Sequence, residues 1–245
     1  MCDKIEHSCE GATRRGFLKV AGSAAILGFA GSFVPGFAYA DSLTKAQRDK
    51  MSPDDVLTMM KKGNERFLQN TRRNRNSLNE QKASASGQFP AAVLLSCIDS
   101  RAPAEVIMDL GIGDVFNTRV AGNIENSDVL GGMEFACQLS GAKVVLVMGH
   151  TSCGAIKGAV ANAELGNLTG LLAKIKPAVA ATTYSGARTA DNYDFVDAVA
   201  RKNVEMTVAG IRKNSPVLAA LESKGTIKIA GAMYNLKTGA VEFLA

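Results

Sequence analysis

The sequence has no tryptophan, and only two of its 245 residues are histidine. Aromatic residues make up 6% of the chain, so its basic side chains lack the aromatic platform on which proteins stack nucleobases. The formal net charge is +5, and charged residues make up an ordinary 21%. We therefore predict no nucleic-acid partner and exclude a disordered or fibrous protein. The small positive charge favours small anions as ligands.

The first forty residues have the pattern of an export signal. Adjacent Arg14 and Arg15 precede an apolar, small-residue run over 20–37, and Ala38-Tyr39-Ala40 offers the small-x-small pattern that signal peptidases cleave. The segment resembles a twin-arginine signal, so we predict an exported or periplasmic protein, handled by the twin-arginine machinery and cleaved after Ala40. The alternative is an uncleaved membrane anchor, which the glycines and the proline of the run disfavour.

Cleavage would lower the number of cysteines from five to three, namely Cys97, Cys137 and Cys153. An odd number of cysteines in an oxidising compartment argues against a disulfide framework. Metal ligation would protect two of the thiols. Cys137 lies in an apolar stretch and is predicted to be a buried, inert thiol.

The remaining residues, 41–245, are predicted to form one domain in which strands alternate with helices. We predict helices over 52–69, 104–110, 128–140, 153–165, 192–213 and from 215 onward, and strands over 91–96, 115–118, 143–148, 226–230 and 240–244. This order predicts an α/β fold with a mostly parallel central sheet flanked by helices, and with an N-terminal helical arm. The polar stretch 70–87 is predicted to wrap the surface or a partner, and its Arg72, Arg73 and Arg75 are predicted to be solvated.

Residues able to bind a metal follow two of the predicted strands. Cys97 follows the strand over 91–96, and His150 follows the strand that ends at Met148, with Cys153 three residues later. The carboxyl ends of parallel strands meet at one edge of a sheet, where ligands gather. Two thiolates and one imidazole with an open fourth position are typical of catalytic zinc. Taken alone, His150 would also fit a hydrogen-bonded polar residue at a strand end.

Two short motifs carry these residues: Cys97-x-Asp99-x-Arg101 and His150-x-x-Cys153-Gly154. Together they resemble the β-class carbonic anhydrases, and the segments 63–67, 119–123, 215–218 and 231–239 are similar to that family too. The resemblance implies the reversible hydration of carbon dioxide to bicarbonate and a proton by attack of a zinc-bound hydroxide. It also implies one Zn²⁺ per subunit, held by Cys97, His150 and Cys153.

The resemblance implies further roles. Asp99 would manage the zinc-bound water while Arg101 holds it away from the metal, and in a closed form Asp99 would become the fourth ligand. The implied substrate pocket consists of Phe116, Ala121, Phe135, the Gly154 N–H group and Gln88 from across a dimer interface. The family forms homodimers or tetramers. A bicarbonate site built on tryptophan is excluded, because the chain has none.

Three alternatives stay open. A hydrolase of carbon disulfide or carbonyl sulfide could use the same scaffold, because both molecules are isoelectronic with carbon dioxide. A non-catalytic zinc- or anion-binding protein would need neither Asp99 nor Arg101. A thiol redox protein is disfavoured, because no Cys-x-x-Cys motif is present.

Overall fold

The structure is a computed structural model that describes residues 42–244. The export signal over 1–40 lies outside these residues, so the signal and its cleavage stay predictions. The helices are α1 Lys45–Lys50, α2 Pro53–Leu68, α3 Ser77–Ser84, α4 Ala104–Ile107, α5 Ser127–Glu134, α6 Gly154–Val160, α7 Gly166–Ala181, α8 Tyr193–Asn214 and α9 Pro216–Ser223. The strands are β1 Ala92–Ser96, β2 Val115–Arg119, β3 Val144–His150, β4 Lys228–Tyr234 and β5 Val241–Phe243.

The five strands form one sheet in the order β2-β1-β3-β4-β5. Every neighbouring pair is parallel except β4 and β5, which are antiparallel. The predicted α/β fold with a mostly parallel sheet is therefore confirmed. Among residues 42–244, no helix combines the length and the apolar character needed to cross a membrane.

The sheet is covered by helices on both faces, and every residue of β1 and β3 is buried. Alternate residues of a strand point to opposite faces, so each central strand contributes to two cores. Val93 and Val145 belong to the core that also contains apolar residues of α6, α7 and α8. Leu94 and Leu146 belong to the core beneath α2 and α4. This double burial explains why both strands are uninterrupted apolar runs.

Helix α2 begins where the sequence predicts. The Ser52 hydroxyl accepts a hydrogen bond from the Asp55 N–H (3.1 Å), and the Asp55 carboxylate accepts one from the Ser52 N–H (2.9 Å). Pro53 occupies the first turn, where its missing N–H costs nothing. Val56 and Met60 are buried beneath the sheet. The reciprocal cap and the apolar face therefore fix both the start and the orientation of this helix.

The second half of α2 is locked against the loops at one edge of the fold. A side chain at Gly63 would overlap the carbonyl oxygen of Met108, so only glycine fits there. The buried Asn64 side chain donates to the Gly239 carbonyl (3.0 Å) and accepts from the Val241 N–H (2.9 Å). These contacts explain why a glycine and an asparagine stand side by side in a helix, where both have low propensity.

The prediction that Arg72, Arg73 and Arg75 are solvated is wrong for Arg75, whose side chain is only 11% exposed. Its guanidinium donates to the Glu80 carboxylate (2.6 Å) and to the Asp109 carbonyl (2.9 Å). Both acidic residues are buried, and a buried carboxylate needs charged or hydrogen-bonding partners. The arginine therefore turns inward to meet them.

Several helices differ from the predictions. Helix α1 (Lys45–Lys50) was not predicted, and α4 ends at Ile107 rather than at 110. Helix α3 (Ser77–Ser84) forms within the polar stretch 70–87, and α7 (Gly166–Ala181) was not predicted. Its two glycines and the internal Pro177 weaken its helical signal, and burial of its apolar residues overrides their propensities. Helix α6 ends at Val160 rather than at 165. The helix predicted over 128–140 is present, with a π-helical turn over Phe135–Leu139.

Candidate metal centre

Three buried side chains converge at the carboxyl edge of the sheet. The ligand atoms of Cys97, His150 and Cys153 all lie within 4.8 Å of one another. The two sulfur atoms are 3.9 Å apart, and both cysteines are free thiols. A set of two sulfurs and one imidazole nitrogen this close together could hold a metal ion.

The parallel pairing of two strands produces this convergence. Ser96 of β1 pairs with Met148 of β3, and β3 continues past its predicted end at Met148 to His150. Cys97, just after β1, therefore lies near the end of β3. The chain then turns sharply at Ser152, whose φ of 53° lies in the left-handed region. This turn brings Cys153 back as the residue that precedes α6.

The imidazole of His150 has one partnered and one unpartnered nitrogen. Nδ1 lies 2.9 Å from the Thr151 carbonyl oxygen, and because a carbonyl only accepts, Nδ1 carries the proton. Nε2 is buried and has no hydrogen-bond partner among the described residues. A buried, unpartnered nitrogen is costly unless something else binds it. With the two sulfurs beside it, this nitrogen fits a metal ligand whose other nitrogen is fixed by a carbonyl.

The two thiols of the cluster perturb each other. The hydrogen bond with Cys153 lowers the pKa of the Cys97 thiol to about 4, although burial opposes the shift. The same hydrogen bond, together with burial, raises the pKa of Cys153 above its ordinary value. Thiols bind metal only as thiolates, so a cation here would replace the shared proton. Cys137, in contrast, is buried as predicted, and burial raises the pKa of its thiol to about 12.

Asp99 faces the cluster but is held by Arg101. The Asp99 carboxylate accepts from the Arg101 guanidinium at both oxygens, with distances of 3.0 Å to Nε and 2.8 Å to Nη2. This bidentate pair lowers the pKa of Asp99 to about 2, so the carboxylate stays ionised in neutral solution. One of its oxygens lies 3.9 Å from His150 Nε2.

Arg119 also belongs to the site, although no role of its own was predicted for it from the sequence. Its guanidinium donates to the carbonyl oxygens of Cys97 (2.8 Å) and Asp99 (2.6 Å). It stands at the end of β2, paired with Ser96 of β1. The arginine thus holds the backbone between a candidate ligand and the carboxylate beside it. Its position at the end of a third parallel strand was the available signal.

Comparisons with known proteins agree with this geometry. The family model described as carbonic anhydrase matches residues 92–241. Carbonic anhydrase 2 of Mycobacterium tuberculosis is 35% identical over 182 residues, which cover 74% of this chain and 87% of that protein. The chain belongs to the carbonic anhydrase family. The enzyme interconverts carbon dioxide and bicarbonate, as the sequence predicted.

Solved structures place this carbonic anhydrase in the β class. A β-carbonic anhydrase of Aspergillus fumigatus has a TM-score of 0.60 and 27% identity, over 78% of this chain and 89% of that one. A structure described as a tetrameric β-carbonic anhydrase from Sordaria macrospora has a TM-score of 0.58 and 24% identity, over 66% of this chain and 83% of that one. At 24% identity, the similarity to the Sordaria protein supports the fold alone.

The predicted pocket residues of this carbonic anhydrase fall into two groups. Phe116 and Phe135 pack edge to face with ring centroids 5.9 Å apart, and Phe135 is 49% exposed. Ala121 begins a short 3₁₀ turn whose next residue, Gly122, points its N–H at the Cys97 sulfur (3.4 Å). Gly154 begins α6, and a side chain at this position would meet no atom within 4 Å. The Gly122 N–H therefore reaches the cluster, whereas an apolar substrate pocket formed by Phe116, Ala121 and Phe135 stays a prediction.

Gln88 is not brought to the cluster of its own chain. It precedes β1, whereas Cys97 follows it, and five strand residues span about 17 Å. It lines a separate cavity of about 110 Å³ with Ser42, Phe89 and Gly113 among its walls. A contribution of Gln88 to catalysis therefore requires a second copy of the chain.

Proposed function

We propose that this carbonic anhydrase uses zinc, held one ion per subunit by Cys97, His150 and Cys153. The observation that carries the proposal is the buried and unpartnered His150 Nε2 beside two free thiols. Three protein ligands leave one corner of a tetrahedral site open, which is the pattern of catalytic zinc. Zinc in such a site supplies a water molecule with a pKa near 7 and thereby a nucleophile at neutral pH.

The surrounding side chains would bind and orient the reactants. The ionised Asp99 carboxylate can accept a hydrogen bond from the attacking water, and Arg101 fixes that carboxylate with a planar fork that lysine lacks. Phe116, Ala121 and Phe135 would bind apolar carbon dioxide. The Gly154 N–H would face the negative charge that develops on bicarbonate.

Asp99 also has a position from which it could close the site. One of its oxygens lies 3.9 Å from His150 Nε2, so a short movement after release from Arg101 would bring it among the ligands. We propose that the ion pair with Arg101 keeps the enzyme open and that its loss lets Asp99 take the fourth corner. Metal-edge X-ray absorption of the Arg101→Ala variant would detect the added oxygen ligand. An unchanged metal environment in that variant would contradict the closed form.

Metal removal tests the zinc proposal directly. We expect dipicolinate dialysis to remove both zinc and carbon dioxide hydration, because the Cys₂His set is the only ligand cluster found in residues 42–244. Zn²⁺ should restore activity up to one equivalent per chain, whereas Mg²⁺, which prefers oxygen ligands, should not. Stopped-flow pH-indicator assays and metal analysis measure both quantities. Full activity in the metal-depleted protein would contradict the proposal.

The same assay separates the remaining alternatives. Turnover of carbon dioxide excludes a protein that only stores zinc or an anion. Measuring carbon disulfide and carbonyl sulfide hydrolysis on the same preparation compares the three isoelectronic substrates. We expect carbon dioxide to be the fastest of the three, and faster hydrolysis of either sulfur compound would reverse the assignment.

We propose that the enzyme works as a homodimer or tetramer in which Gln88 of one subunit serves the site of another. The support is the position of Gln88, a strand length away from the cluster of its own chain. The Sordaria protein, which shares this fold, is described as tetrameric. Light scattering measures the state of assembly, and a fully active monomer would contradict the proposal.

We propose that the enzyme is exported by the twin-arginine route and cleaved after Ala40. The support is the pattern Arg14-Arg15, the apolar run and the Ala38-Tyr39-Ala40 site. Replacing both arginines by lysine should leave the precursor in the cytoplasm, as fractionation would show. The exported wild-type chain should begin at Asp41, as N-terminal sequencing would show. An uncleaved chain in the membrane fraction would support the anchor instead.

A further inference from the structure

A single peptide group connects the candidate ligand His150 to the helix behind the site. The peptide between Thr151 and Ser152 has its carbonyl oxygen 2.9 Å from His150 Nδ1. The N–H of the same peptide donates to the Asp197 carboxylate at 2.6 Å. Because a peptide group is planar and rigid, fixing its N–H end also fixes the direction of its carbonyl end. Asp197 thereby determines where the imidazole finds its acceptor.

The backbone at this point needs an anchor. Ser152 has a φ of 53°, a left-handed conformation that non-glycine residues seldom adopt. Such a conformation persists where the surrounding contacts enforce it. On the other side of the turn, Thr151 donates its N–H to the Tyr234 carbonyl (3.0 Å) and accepts from the Leu236 N–H through its hydroxyl (3.0 Å). Asp197 supplies the contact from the helical side.

The Asp197 carboxylate hydrogen-bonds to the peptide group, and its cationic neighbour Lys237 lies beyond ion-pair distance. Arg201, one turn further along α8, forms its ion pair with Glu242. Within residues 42–244, no ion pair to Asp197 is present, and its recorded hydrogen bond is the one from Ser152. Asp197 is half-buried at the wall of a cavity of about 500 Å³ that Thr151 and Tyr234 also line. A carboxylate in such a site polarises the peptide, so the carbonyl becomes a stronger acceptor for the imidazole N–H.

We propose that Asp197 is a positioning residue for His150, acting through the Thr151–Ser152 peptide. In many metal sites a carboxylate hydrogen-bonds directly to the imidazole that binds the metal. Here one peptide group lies between the Asp197 carboxylate and the His150 imidazole. Partners of this kind orient the imidazole and raise its basicity toward the metal. This inference rests on the proposed binding of zinc by His150.

Zinc affinity and rescue by asparagine test the proposal. We expect Asp197→Ala to weaken Zn²⁺ binding about 10-fold in competition with a chromophoric chelator, as outer partners of metal-binding histidines do when lost. Asp197→Asn keeps an oxygen that accepts from the Ser152 N–H, so it should recover most of the affinity. Glu205→Gln, an exposed position on the same helix, should bind zinc like the wild type. Equal losses in the alanine and asparagine variants, or wild-type affinity in both, would overturn the proposal.

Proton NMR gives a second measurement that does not depend on how well the alanine variant folds. His150 and His7 are the only histidines, so the imidazole N–H region of the zinc-loaded protein is simple to assign. In Asp197→Asn the loss of charge weakens the carbonyl as an acceptor, so the Nδ1–H resonance of His150 should move upfield. An unmoved resonance would overturn the proposal. A wild-type protein that binds no zinc would instead contradict the proposed function itself.

Discussion

Replacing Cys153 by alanine is expected to abolish both zinc binding and carbon dioxide hydration. The substitution leaves one sulfur and one imidazole, too few ligands for a tetrahedral zinc site. Structural zinc sites bind with about 10–16 kcal/mol, so one of four ligands is worth about 3 kcal/mol, or more than about 100-fold in affinity. Zinc content after gel filtration and stopped-flow rates of hydration measure the two losses. Full activity in this variant would contradict the ligand assignment.

Cys137→Ala is the matched control for that experiment. The same side chain is removed from another buried site, but Cys137 lies outside the ligand cluster. Its thiol, with a pKa raised by burial to about 12, takes no part in metal binding. We expect this variant to keep its zinc and its rate. Loss of zinc in both variants would show that the first result reflects damage to the core.

The candidate centre could be predicted from the sequence because its geometry follows from local rules. Cys97 follows β1 and His150 ends β3, and parallel neighbours in an α/β sheet bring such positions together. Asp99 and Arg101 are two residues apart, so their ion pair needs no long-range contact. Recognition of the two motifs added the expected chemistry to this arrangement.

The contacts that hold the centre in place could not be predicted in the same way. Ser152 and Asp197 are 45 residues apart and meet only because α8 packs behind β3. No spacing or periodicity in the sequence marks one carboxylate of α8 as different from its neighbours. The prediction that Arg75 is solvated was wrong for a related reason. Its buried partners Glu80 and Asp109 come together only in the folded chain.

Asp99→Ala is expected to keep zinc and to lose most of its turnover. Asp99 is no member of the Cys97–His150–Cys153 cluster and instead pairs with Arg101, so its removal leaves all three ligands in place. The open position of the proposed zinc site would then lack the carboxylate that accepts a hydrogen bond from the attacking water. Losing one placed hydrogen-bonding or proton-accepting group typically slows an enzyme by about 100-fold or more. Zinc content and stopped-flow kcat measure the two effects separately.

Asp99→Asn separates charge from shape in the same position. The amide keeps the size of the side chain but loses the negative charge that Arg101 stabilises. If the negative charge of Asp99 is needed to orient the attacking water, both variants should be slow and both should hold zinc. A fast Asp99→Asn variant would show that an acceptor oxygen alone is enough. The pairing with Arg101 lowers the pKa of Asp99 to about 2, so the wild-type carboxylate carries its charge at neutral pH. Loss of zinc in either variant would make Asp99 part of the metal-holding structure, and a wild-type rate in Asp99→Ala would remove it from the reaction.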